Sequence, residues 1–431
     1  MSKSFRPYEP DQLLLLPPAL SDWVPDEHLA RFVSEVVDAL ELSAIEGSYN
    51  EERGYPPYHP RMMVKLLLYA YCTGTYASRR IAEKLVDSVA FRYLAAGNFP
   101  DFRTISDFRK RHGEAMSELF TQVLRLCRRT GLVKLGRVAV DGTKIKANAS
   151  KHKAMSYGRM KDTEARLQQE VDELLRRAEE ADASDDELYG KDKRGDELPE
   201  ELAHRESRLK KIREAKAALE AEAREQARAE GKDPKRAVPE DQAQRNFTDP
   251  ESSIQKAGKS YIQGYNAQVA VDEKAQVIVA QYVTATQPDV NQLIPVVKQI
   301  SKELRAKPKQ VIADAGYFAA ENVDALEEMK IESFIATARR KHSDPIPPAP
   351  RGRPPKNLSA KARMARKLLT LRGRAVYAWR QILPEPVFGQ IKQARGFRQF
   401  LRRGLKRVGE EWSLLCTTHN LLKLYRAVVF G

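Results

Sequence analysis

Cysteine is scarce in this 431-residue chain, and its three copies, Cys72, Cys127 and Cys416, lie far apart with no CxxC pair among them. That pattern implies neither a disulfide framework nor a thiolate zinc site, and it fits a reducing compartment. Histidine is thin as well: seven residues, scattered, without metal-ligand spacing. Each is read as a surface or packing residue. Long apolar runs are missing. The opening MSKSFRPYEPDQ offers no signal-peptide core. The longest apolar stretch, residues 62–71, contains Lys65 and is too short to span a bilayer. The expectation is a cytoplasmic protein with no membrane partner. Acidic residues are outnumbered, 59 against 74 Lys and Arg, leaving a formal net charge of +15 and a sequence pI near 9.5. This surplus favours an anionic partner, nucleic acid first. Hydrophobic residues at 42% suffice for a packed interior and argue against wholesale disorder.

Patterning divides the chain into unlike parts. Residues 1–130 read as helical, with apolar residues three and four apart over 29–40 and 60–71. Residues 78–113 predict short helices around a Gly97–Pro100 turn, with basic exposed positions. They suit either a helix-turn-helix-like DNA-binding unit or an ordinary helical bundle whose Arg and Lys face water. Residues 136–141, GRVAVD, predict a strand. Residues 151–245 then turn dense in Glu, Lys, Arg and Ala. Met160, Leu167, Val171 and Leu174, and later Leu202, Leu209, Ile212 and Leu219, fall at heptad-like spacing on either side of a polar turn. An antiparallel charged hairpin inserted into a domain is expected, with a solvated linker as the alternative.

After the insertion, strand-like segments at 265–271, 275–284, 310–314 and 332–337 are interleaved with helices at 289–304 and 320–329. Strand, insertion, two strands, helix, strand, helix, strand is the order of an α/β core with a mixed sheet. Residues 339–375 are basic and proline-rich and read as a linker. Their RGRPPK fits either a surface loop or a minor-groove hook. Residues 377–428 read as helical again. The domains expected are 1–130, a helical N-terminal DNA-binding domain; 131–150 with 246–431, the catalytic domain; and 151–245, the insertion.

Three carboxylates stand out by context. Asp141 and Asp314 each end an apolar strand, where open sheets place ligand crevices. Capping the next turn is the competing role for each. Glu385 sits in PEPVFGQIK, where Pro386 suits the first turn of a helix. Lys392, seven residues on, faces the same side. Converging carboxylates suit Mg²⁺ or Mn²⁺, which take hard oxygen ligands. Two such ions roughly 3.5–4 Å apart can serve both the attacking and the leaving oxygen of a phosphodiester.

The blocks VDGTKIKANAS, IADAGYF and YAWRQILPEPVFGQIKQARGFRQFLRRGL resemble the catalytic motifs of DDE transposases of bacterial insertion sequences. The resemblance is nearest to the group numbered eleven eighty-two, related to the insertion-sequence-four and -five assemblage. The segments LPPALSDWVPDEHLARFVSEVVD, YHPRMMVKLLLYAY and HNLLKLYR resemble other parts of the same group. The resemblance implies a ribonuclease-H-like core, with Asp141 on its first strand, Asp314 on its fourth and Glu385 on a late helix as the metal-binding triad. It implies a Tyr–Arg–Glu–Lys set at Tyr377, Arg380, Glu385 and Lys392, though four residues separate Arg380 from Glu385 where the family has three. It also implies cleavage at terminal inverted repeats, joining of the freed 3′-hydroxyl to target DNA, and a homodimer that brings two ends together. Lys392 and Arg380 would neutralise phosphate oxygens. Lys144, Lys146, Arg395, Arg398, Arg402 and Arg403 would contact the DNA backbone, with a solvated helix face as the alternative for the arginines. Tyr317 would stack on a flipped base or pack. A DNA-binding regulator on an inactive fold, a nuclease without strand transfer and a coiled-coil scaffold are the competing functions.

Overall fold

The computed structural model describes residues 19–49, 56–189, 200–229, 231–258, 260–286, 289–339, 347–353, 355 and 357–431. In chain order the strands are β1 (Arg137–Lys146), β2 (Ala154–Ser156), β3 (Gln244–Asn246), β4 (Ser253–Ala257), β5 (Ser260–Asp272), β6 (Ile278–Thr284), β7 (Gln310–Ala313) and β8 (Glu332–Ile335). Strands β4, β5, β1, β7 and β8 lie side by side, and β6 also pairs with β5. The β1, β4 and β6 pairings with β5 are antiparallel, whereas β7 and β8 continue the sheet parallel to β1. A parallel neighbour needs a crossover. The helices Leu293–Leu304 and Ala320–Glu328 precede β7 and β8. This is the mixed, helix-flanked sheet of a ribonuclease-H-like α/β fold.

Val138, Ala139 and Val140 of β1 are fully buried, as are Val311, Ile312 and Ala313 of β7. A central strand covered on both faces reads as an unbroken apolar run rather than an alternating one. On one side the helix Leu405–Val429 lies against β6 and against the N-terminal helices Pro60–Cys72 and Gly113–Arg129. Its Trp412, Leu415, Cys416 and Leu421 are fully buried. Every residue from Glu411 to Leu421 is buried, polar ones included, so this helix is the shared core of the helical and sheet parts. Asn420 on it ties down the edge strand: its side chain accepts from Ile278 N and donates to Ile278 O, both at 2.8 Å.

The insertion is a helical hairpin. Helices Tyr157–Tyr189 and Glu200–Ala229 bury Met160, Leu167, Val171, Leu209, Ile212 and Leu219, and Leu174 is half-buried. Glu164 takes Arg213 and Lys216 across the seam. Of the polar turn expected over 183–199, residues 183–189 belong to the first helix and residues 190–199 lie outside the described residues, as does the Leu202 side chain. At its root β2 and β3 close a two-stranded sheet.

Several expectations need correction. Strand β1 runs on past Asp141 to Lys146, because β5 offers a partner over the whole register from Val138↔Asp272 to Lys146↔Gly264. The β-branched Thr143 and Ile145 suit that extension. Strand β4 was not anticipated, so Asp314 follows the fifth strand of the main sheet rather than the fourth. Within 339–375, the segments Ala360–Leu369 and Leu371–Tyr377 are helices, not linker. Met364 and Val376 are buried, and Lys367 donates to Ser333 O of β8 at 3.0 Å. Of the RGRPPK segment, Pro354 and Lys356 lie outside the described residues. Arg351 O and Gly352 O accept from Arg366.

Candidate active site

Register alone brings the two aspartates together. Val140 and Ala313 are partners in the parallel β1–β7 ladder, and that ladder stops there. Asp141 and Asp314 are the next residues on adjacent strands, which run roughly 4.8 Å apart. Beyond them β1 keeps its β5 partner and, on the β7 side, meets no strand among the described residues before the single bridge from Lys146 to Gln399, so that edge opens beside Asp141. Each aspartate divides its two oxygens. Asp141 Oδ1 accepts from Gly142 N and Asp314 Oδ1 from Gly316 N, both at 2.8 Å. The turn-capping role expected as an alternative is therefore present at Asp314, which caps Ala315–Tyr317, but not at Asp141, whose bond to Gly142 lies within β1.

The other oxygens meet a cation. Arg380 Nη2 lies 3.8 Å from Asp141 Oδ2 and 3.8 Å from Asp314 Oδ2, and its Nη1 lies 3.7 Å from Glu385 Oε1. None of these contacts is as short as a hydrogen bond, and Arg380 Nε is buried without a partner. Charge, not fitted hydrogen bonding, holds the guanidinium. Burial pushes the Asp141 carboxyl up to about 6, with Arg380 pulling the other way and Asp314 and Asp289 adding to the rise.

Glu385 reaches this place through a nearly continuous helical run: Trp379–Ile382, Pro384–Gly389 and a π-turn at Gln390–Ala394. Leu383, Val387 and Ile391, four residues apart, are fully buried and seat one face of the run on the core. Glu385 lies in the first turn of its helix, where the dipole favours an acid. The extra residue between Arg380 and Glu385 does not part them. Wider π-turns recur at functional sites, and here one carries Lys392. Its Nζ donates to Thr143 Oγ1 and, at 2.9 Å, to Lys144 O, so it lies over β1 just past Asp141. Burial lowers its pKa, with Arg398 and Lys144 adding to the effect. Tyr377 is half-buried, and burial raises its hydroxyl pKa.

The basic residues separate into two groups. Lys146, Arg398 and Arg403 are exposed. Arg395 is buried: its guanidinium donates to Thr418 Oγ1 at 2.8 Å and sits against Leu415 O, while Tyr76 donates to its backbone carbonyl. A group so enclosed cannot reach a DNA backbone, so the expected contact at Arg395 is withdrawn. Arg402 is enclosed too, paired with Glu410 at 2.6 Å. Lys144 is paired with Asp289 at 3.2 Å. Tyr317 is buried and donates to Gln268 Oε1, so it packs.

Sequence reasoning took Asp289 only as a helix-opening acid and passed over Asn266 and Gln268. Two amides at alternate positions of an otherwise apolar buried strand, YNAQVAV, were the available signal.

Carboxylate oxygens gathered around one positive charge are the donor set that Mg²⁺ or Mn²⁺ takes. The chemistry fits. With the guanidinium between them, no three His, Cys, Asp or Glu side chains among the described residues stand close enough to hold a metal ion. No helix among the described residues is long and apolar enough to cross a membrane.

Two family models match parts of the chain. Residues 18–111 match the family described as a transposase domain (DUF772), and residues 221–421 match the transposase DDE domain. The second match contains Asp314, Arg380, Glu385 and Lys392; Asp141 lies before it. No curated protein and no solved structure matches the chain.

Proposed function

We propose that this chain, whose two matched segments are both transposase domains, is a DNA transposase that cuts the ends of an insertion sequence and joins them to target DNA. The observation that carries the reading is the convergence of Asp141, Asp314 and Glu385 on one cationic group at the open edge of β1. Asp141, Asp314 and Glu385 would hold Mg²⁺ or Mn²⁺, two ions in all. Bound there, the metal supplies activation of the attacking oxygen and stabilisation of the leaving one. Arg380, among the carboxylates, and Lys392, over β1 just past Asp141, would neutralise phosphate oxygens as charge builds. Arg380 lies among the same three carboxylates at distances longer than a hydrogen bond. The half-buried Tyr377 borders the same ground.

Lys146, Arg398 and Arg403, exposed near the end of β1, are the backbone contacts this reading keeps. Residues 1–130 would supply further DNA contact. There Arg79 and Arg103 both stand over Phe102, and Arg92 stands over the exposed Phe99. Such arginine–aromatic stacks leave cationic edges free for phosphates. Two copies would hold the two ends.

The test is incubation of the full chain with its own element ends and Mg²⁺ or Mn²⁺, with products read on a gel. Nicked ends and joined products are expected. Ends bound but never cut would mean a regulator, and cutting without joined products would mean a nuclease.

A further inference from the structure

The three acids and Arg380 lie above a polar layer that the catalytic reading does not use. Asp289 opens the short helical turn Asp289–Gln292, before the helix Leu293–Leu304. Its Oδ1 accepts from three donors: Asn266 Nδ2 at 2.5 Å, Gln268 Nε2 at 2.9 Å and Lys144 Nζ at 3.2 Å. Lys144 stands on β1, three residues past Asp141, and the two amides stand on β5 opposite it, in register with Lys144 and Gly142. One carboxylate oxygen thus grips both strands of the ladder that carries Asp141.

The same carboxylate reaches the Asp314 side. Gln268, held through its amide nitrogen by Asp289, accepts through its oxygen from the Tyr317 hydroxyl. Tyr317 belongs to the turn Ala315–Tyr317, which Asp314 caps. A second tie runs through Asn322, whose amide donates to Val290 O at 2.7 Å and Tyr317 O at 3.0 Å. Two glycines make room for this layer. A Cβ at Gly142 would lie 2.4 Å from Gln268 Nε2, and one at Gly316 would meet Asp314 Oδ1 at 3.0 Å and Asp289 Oδ2 at 3.5 Å. Asn266 and Gln268 are fully buried while Asp289 keeps some exposure, and burying two amides is costly even with these bonds, since Asn266 Oδ1 has no partner among the described residues. Packing alone would favour apolar residues on β5.

We propose that Asp289 is a positioning residue of the metal site. It sets the spacing of Asp141 and Asp314 by clamping β1, β5 and the turn after β7 to one another, without itself binding the metal. The proposal rests on the reading of Asp141, Asp314 and Glu385 as metal ligands. Outer partners that orient metal ligands typically change metal affinity by roughly 10- to 100-fold when removed.

The test is a Mn²⁺ titration of the full-length protein, with free Mn²⁺ read by electron paramagnetic resonance, on wild type, Asp289→Ala, Asp289→Asn and Asp141→Asn. Asp289→Ala loses the three bonds that Asp289 Oδ1 accepts, while the tie through Asn322 stays, and is expected to weaken Mn²⁺ binding roughly 10-fold or more. Asp289→Asn keeps an oxygen that accepts from the two β5 amides and is expected to recover most of the lost affinity. Equal weakening in both variants would make Asp289 a direct ligand and overturn the positioning role. No weakening in Asp289→Ala, or a lowered melting temperature with unchanged Mn²⁺ affinity in the folded protein, would overturn it as well. Asp141→Asn separates the two levels. If it binds Mn²⁺ as well as wild type, the metal-ligand reading itself fails, whatever Asp289 does.

Discussion

Arg380 stands 3.8 Å from the carboxylate of Asp141, and this one arginine answers the charge of all three acids. The pairing is long and lacks hydrogen bonds, so its worth is Coulombic and modest, on the order of 1 kcal/mol. Without metal, Arg380→Gln leaves the three acids facing one another. The variant should melt about 1 °C below wild type in a chelator, from that energy and an unfolding entropy of about 2.1 cal/mol/K per residue. Added Mg²⁺ should close most of the gap. Melting curves that match wild type in both conditions would show that Arg380 is not the counter-charge.

Asp141→Asn keeps the shape of the side chain and removes its charge. Affinity for element ends should stay near wild type, while cleavage falls by at least about 10²-fold, the scale of losing one preorganised electrostatic contact. Gel-shift and cleavage assays on one preparation read both. Cleavage near the wild-type rate would remove Asp141 from the catalytic set.

Arg395 should behave as a core residue. Its guanidinium is enclosed and bonded to Thr418 and Leu415. Arg395→Ala leaves a cavity and unpaired acceptors, at a cost of roughly 2–4 kcal/mol. Urea unfolding measures that loss. End-binding per folded molecule should be unchanged, and a selective loss of DNA affinity at full stability would restore Arg395 as a DNA contact.

His419 gives a pH dependence of known sign. Burial pushes its pKa down to about 3, with Arg395 adding to the effect. Its Nε2 lies 3.0 Å from Gln276 O, and since a carbonyl only accepts, the neutral ring carries its proton there. Above pH 6.5 the ring is neutral in both folded and unfolded chains and adds no slope. Below 6.5 the unfolded chain takes up a proton that the folded one refuses, so stability falls as pH drops from 6.5 toward 3. The loss is up to about 1.4 kcal/mol per pH unit. Unfolding free energies at pH 7.5 and 5.5 should differ less in His419→Gln than in wild type by about that amount. An unchanged difference would show that His419 does not carry it.

Gly142→Ala tests the polar layer from the other side. A Cβ there collides with the Gln268 amide and crowds Asn266 Oδ1, so the amides that hold Asp289 must give way beside Asp141. A drop of roughly 10-fold in Mn²⁺ affinity with the fold intact is expected. Affinity equal to wild type would mean that the layer yields freely.

Much of the frame was legible because local chemistry dictated it. Apolar runs such as VAV and VIA could be little other than covered strands, and the heptad spacing of Leu209, Ile212 and Leu219 required a partner helix. Strand β4 escaped notice because SIQKA has no apolar alternation and is held at the sheet's rim by β5. The helices within 360–377 were hidden by their basic surface, since their burial depends on contact with β8.

The sequence by itself determined the apolar strand segments that lead into Asp141 and Asp314, the helical run bearing Glu385 and the surplus of positive charge, because periodicity and residue type act over a few neighbours. Only the tertiary structure decided which charges meet. Whether an arginine is a phosphate contact, as Arg398 is free to be, or a core strut like Arg395 depends on what covers it. Asp289 became more than a helix-opening acid only once β1 and β5 had brought Lys144, Asn266 and Gln268 around it. Burial and long-range pairing follow from the packing of remote segments, and no local window of residues contains them.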